Sequence, residues 1–112
     1  MSRYDFEGIT LDGIHGTDLF RARVNGLAEA HSKGIKTWVS FEPVTNERNF
    51  FIEFDLVAEI ADKVKIGKLN YHKSDIDWAD FGQKAEALCW ELGIDYYIKD
   101  SLRNEMEKRK KQ

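Results

Sequence analysis

Apolar residues along this chain switch between two periods. Spacings of three and four mark amphipathic helices, and strict alternation marks short strands between them. TDLFRARVNGLAEAHSKG places Phe20, Val24, Leu27 and His31 on one helical face, with Thr17 or Asp18 to cap it and Gly34 to stop it. NERNFFIEFDLVAEIAD repeats the pattern, with Asn46 as cap and Phe50, Phe54, Val57 and Ala61 on one stripe. SDIDWADFGQKAEALCWELG carries Trp78, Phe81, Ala85, Leu88 and Leu92 and ends at Gly93, and DSLRNEMEKRKK is a short last helix. KTWVSFE, KVKIGKL and IDYYIK read as strands, while GITLDGI reads as a further strand or as an irregular arm.

Strands separated by helices pair in parallel through right-handed crossovers. The pattern therefore predicts an α/β fold with at least three parallel strands. Alternation then sorts the strand residues by face. Val39 and Phe41, Val64 and Ile66, and Tyr96 and Ile98 suit a layer of helices. The opposite face receives Trp38, Ser40 and Glu42, then Lys65 and Gly67, then Asp95, Tyr97 and Lys99. A doubly wound sheet needs apolar cover on both faces, and these strands do not supply it. The expected architecture is a partial (half) β/α barrel with helices on one face, a polar inner face, and ligands at the C-terminal rim.

Length and composition narrow the reading further. With 112 residues, 42% hydrophobic and 33% charged, the chain suits a single domain. Its expected parts are an N-terminal arm or extra strand (1–16), the half-barrel (17–102) and a basic helical tail (103–112). There is no apolar run long enough to cross a bilayer and no signal-peptide pattern, so the expectation is a cytoplasmic protein with no membrane role. Cys89 is the only cysteine, which excludes an internal disulfide and fits a reducing compartment. A net charge of -3 argues against nucleic acid as a partner. The EKRKKQ tail reads as the end of a helix whose cations suit the C-terminal dipole.

Candidate chemistry gathers on the inner face. Glu42, Lys65 and Lys99 either bind an anionic ligand or partner, or neutralise one another as a structural network. Ser40 has no histidine at a motif-like spacing, so it reads as a small polar lumen residue. Trp38 is a lumen filler or an interface aromatic. His15, His31 and His72 form no metal-binding pattern. Cys89 lies beside the apolar stripe of its helix and reads as core. Gly67 either admits a close approach or relieves crowding.

WVSFEPV, VKIGKLNYH, DWADFGQKAEALCWELG and YYIKDSL, in that order, resemble the C-terminal half of radical S-adenosylmethionine proteins related to spore photoproduct lyase (the DNA-repair photolyase-like group). The similarity runs from about Ala28 to about Leu102. It implies the last strands of a partial barrel, with Ser40, Glu42, Lys65, Asn70 and Lys99 at rim or lumen positions. The loop that follows the second strand adds Tyr71 and His72 as interface candidates. The family's CxxxCxxC cluster loop has no counterpart in this sequence, and an iron–sulfur cluster needs several thiolates. No cofactor is therefore expected in this chain alone; S-adenosylmethionine and a cluster enter only if a partner completes the barrel.

Open strand edges and an uncovered inner face call for a partner, and the simplest is a second copy. The expected function is a non-catalytic binding protein derived from a truncated radical-enzyme barrel, as a homodimer or with a protein partner. A phage or mobile-element inhibitor of a host protein fits such a fragment. The competing expectation is the C-terminal half of a split radical enzyme.

Overall fold

Helix starts in this chain are set by side chains that replace missing backbone partners. Thr17 Oγ1 accepts from the Phe20 amide at 3.1 Å, Asn46 Oδ1 from Asn49 at 2.9 Å, and Asp77 Oδ1 from Asp80 at 3.1 Å. Two helices end at glycines in the left-handed region, Gly34 (φ 80°) and Gly93 (φ 69°), where a side chain would strain the backbone. The computed structural model describes residues 6–10, 16–69 and 74–110. The elements in chain order are β1 (Phe6–Thr10), α1 (Asp18–Ser32), β2 (Lys36–Val44), α2 (Glu47–Val57), β3 (Lys63–Lys68), α3 (Trp78–Leu92), β4 (Asp95–Ile98) and α4 (Asp100–Lys110).

The strands form one all-parallel, four-stranded sheet in the order β1-β2-β3-β4. Sequential order with right-handed crossovers keeps the helices on one face. Of GITLDGI, Gly8–Thr10 belongs to the strand FEGIT, which pairs with β2, Gly8 opposite Trp38, and residues 11–14 lie outside the described residues. The register of β2 against β3 shifts between Phe41 and Val44, next to Pro43, which brings no backbone donor to the ladder.

The core lies between the sheet and the helices. Val39, Phe41, Val64, Ile66 and Ile98 meet Phe50, Phe54, Val57, Phe81 and Ala85 there. Phe50 is the hub, with ring centroids 4.9 Å from Phe41 and 4.9 Å from Phe81. Two expected helix-face residues lie elsewhere. His31 is exposed, and Ala30 takes the buried position because the stripe runs Phe20, Leu27, Ala30. Leu92 is 51% exposed in the last turn of α3, where Cys89 supplies the buried contact instead.

The C-terminal segment also differs from a plain tail. Leu102 and Met106 of α4 are buried. They close on Gly82 of α3, where an added Cβ would stand 2.5 Å from Met106 Sδ. Arg103 of α4 clamps both carboxylate oxygens of Glu86 on α3, at 3.1 and 2.7 Å, and Tyr96 of β4 donates to the same carboxylate at 2.9 Å. Residues 103–106 thus belong to the packed body.

A polar lock holds the N-terminal end of the sheet. Thr37 is fully buried at the start of β2. Its backbone N–H donates to Asp62 Oδ2 at 2.8 Å, its hydroxyl donates to the Ile60 carbonyl, and the Asp62 N–H returns to the Thr37 carbonyl at 3.0 Å. Thr37→Val keeps the shape and strands the Ile60 carbonyl. It is expected to lower stability by about 1–3 kcal/mol, read as a drop in the urea midpoint with an unchanged m-value.

Candidate functional site

The inner face of the sheet is built by alternation from three strands. β2 presents Trp38, Ser40 and Glu42; β3 presents Lys65 and Gly67; β4 and the residue after it present Tyr97 and Lys99. Register gathers them into rows. Ser40 is opposite Lys65, and Lys65 is opposite Tyr97. One step toward the C-terminal ends of the strands, Glu42 and Lys99 flank Gly67, and the Lys99 amide donates to the Ile66 carbonyl at 2.9 Å.

Gly67 explains how those flanking charges meet. A Cβ there would lie 3.1 Å from Glu42 Cγ and 3.1 Å from Lys99 Cγ, tighter than ordinary packing. Without it, the two side chains close over the strand between them, with Lys99 Nζ 3.1 Å from Glu42 Oε1. The hydrogen bond and charge of Glu42 raise the Lys99 amine above its ordinary 10.5. Both side chains remain solvent-accessible, at 43% for Lys99 and 38% for Glu42, so solvent screens the pair.

A second glycine shapes the other end of this face. A Cβ on Gly8 would fall 1.9 Å from Trp38 Cε2, so the indole lies across the backbone of β1. Lys65 Nζ sits 4.7 Å from the centroid of the same ring, a cation–π contact. Trp38 therefore spans β1 to β3 and floors the inner face. Ser40 is buried beside it, whereas Tyr97 is 45% exposed. The structure thus brings Trp38, Ser40, Glu42, Lys65, Tyr97 and Lys99 onto one surface. Asn70, Tyr71 and His72 lie outside the described residues.

Sequence reasoning missed a charged cluster on the helix side of the same rim. Lys68, at the end of β3, pairs with Glu105 of α4 at 3.2 Å and lies 6.0 Å from the Trp78 ring centroid. The Lys68 hydrogen bond holds the Glu105 carboxyl below its usual range. Alternation does place Lys68 with Val64 and Ile66, but no spacing signal links it to a residue 37 positions later.

The donor set does not fit an iron–sulfur cluster. The single cysteine, Cys89, is fully buried on α3, and burial pushes its thiol up to about 11. No protein-family model matches this sequence, and neither a curated protein nor a solved structure matches it.

The ion pair has a titration signature. Because the folded Lys99 value is raised, its stabilisation is complete below pH 10.5 and is lost as pH rises through the folded value. Glu42→Gln is expected to return Lys99 toward its ordinary value, read from the pH dependence of its side-chain NMR shifts. Gly67→Ala, by parting the two side chains, is expected to do the same.

Proposed function

We propose that this chain is a non-catalytic interaction protein that binds through the inner face of its half-barrel. The observation that carries this is the composition of that face. Trp38 and half-exposed Tyr97 stand among Lys65 and the Glu42–Lys99 pair, beside β1 and β4 at the two edges of the sheet. Aromatic anchors among charges mark protein interfaces, and terminal strands offer backbone donors and acceptors to a partner. The net charge of -3 favours a protein over a nucleic acid as that partner. No helix among the described residues is long and apolar enough to cross a membrane. The partner is a second copy of the chain, and a role as a phage- or mobile-element-type inhibitor of a host protein is compatible with this surface.

A second reading keeps the resemblance to the radical S-adenosylmethionine group: the chain is the C-terminal half of a split enzyme. The row Glu42–Gly67–Lys99 favours it, because it lies at the C-terminal ends of the strands, where barrel folds place ligands. In that case the complementing chain must bring every thiolate for the cluster.

Light scattering of the purified chain across a dilution series separates these readings. A dimer mass that falls only on strong dilution is the expected result. A chain that aggregates or fails to fold alone would favour the split-enzyme reading.

A further inference from the structure

We infer that two copies of this chain close into one eight-stranded β/α barrel, β4 of each pairing with β1 of the other about a two-fold axis along the barrel. This rests on the self-association proposed above and specifies its geometry. The first argument is strand number. Four parallel strands in chain order, with helices on one face, make half of the eight-stranded barrel, the size whose interior is just wide enough for side chains to fill. A two-fold axis along the barrel keeps every strand running in the same sense, including those at the two new seams. Closure then leaves no edge and no open growth.

The edges match each other. β1 has five residues and β4 has four, and each stands at an end of the strand order. Along a strand, successive N–H groups point to opposite sides. The Lys99 amide points to β3, since it donates to Ile66. Those of Tyr96 and Ile98 therefore point away from β3, toward the strand that the partner supplies. Side-chain alternation agrees: Tyr97 is on the inner face and 45% exposed in the single chain, and closure moves it into the lumen.

The site is incomplete without the second copy. A closed barrel carries two Glu42–Lys99 pairs at its C-terminal rim and two Trp38 indoles across its floor, disposed with two-fold symmetry about one lumen. Two Lys65 side chains also share this lumen, each against its own Trp38. Their repulsion opposes closure, and enclosure limits how far salt can screen it.

Amide hydrogen exchange by NMR on the full chain, combined with light scattering, tests this. The expected result is a dimer in which the Tyr96 and Ile98 amides exchange at least ~100-fold more slowly than unprotected amides. Tyr97→Lys, at a half-exposed edge position, should be monomeric with an unchanged circular dichroism spectrum and should lose that protection. A dimer whose Tyr96 and Ile98 amides exchange freely would overturn barrel closure but leave self-association standing, for instance through the exposed Ile52 and Leu92 of α2 and α3. A monomer at every concentration would overturn both closure and the second copy as occupant. Should Tyr97→Lys fail to fold, the exchange rates of the unsubstituted chain decide alone.

Discussion

The packing of Phe50 against Phe41, Phe54 and Phe81 fixes which way the sheet faces. Phe50 ties α2 to β2 and to α3, and it holds Val39 and Phe41 toward the helices. Once that is settled, the two-residue period of a strand leaves Trp38, Ser40 and Glu42 only the other face. A one-residue slip would bury Glu42 among phenylalanines and expose Phe41. The charged surface is therefore a by-product of hydrophobic registry, and the same aromatic cluster that stabilises the fold also aims the candidate site.

The ends of the sheet divide the work. At the N-terminal end, buried Thr37 and partly buried Asp62 hold β2 to the turn before β3 through direct hydrogen bonds. At the C-terminal end, half-exposed Glu42 and Lys99 pair over β3 on one face, while Lys68 of β3 pairs with Glu105 of α4 on the other. Buried, fully satisfied polar groups rigidify. Exposed ion pairs contribute little to stability and stay free to exchange partners. This asymmetry suits a molecule that is stiff below and receptive above.

Much of this was legible in the sequence, for specific reasons. Thr17 and Asn46 each stand at a helix start, and Gly34 and Gly93 at helix ends, so α1, the start of α2 and the end of α3 follow from local chemistry. The two faces of β2, β3 and β4 follow from alternation, including the inner-face set from Trp38 to Lys99. What was not legible depends on contacts distant in the chain. Gly8 needs its glycine only because Trp38 lies over it, and nothing in FEGIT announces that. Gly82 likewise depends on Met106, and the Glu86–Arg103 clamp joins residues on different helices. The packed state of α4 escaped notice because its charged residues outnumber Leu102 and Met106.

Cys89, sealed within α3 and with its thiol pushed up to about 11, stays a neutral thiol at physiological pH. Burial and the raised thiol make Cys89 a poorer target for thiol reagents than an exposed cysteine. A cysteine introduced at a half-exposed inner-face position such as Tyr97 would be the more reactive handle on the molecule. Probes for distance, fluorescence or crosslinking could then be placed without first removing the native residue.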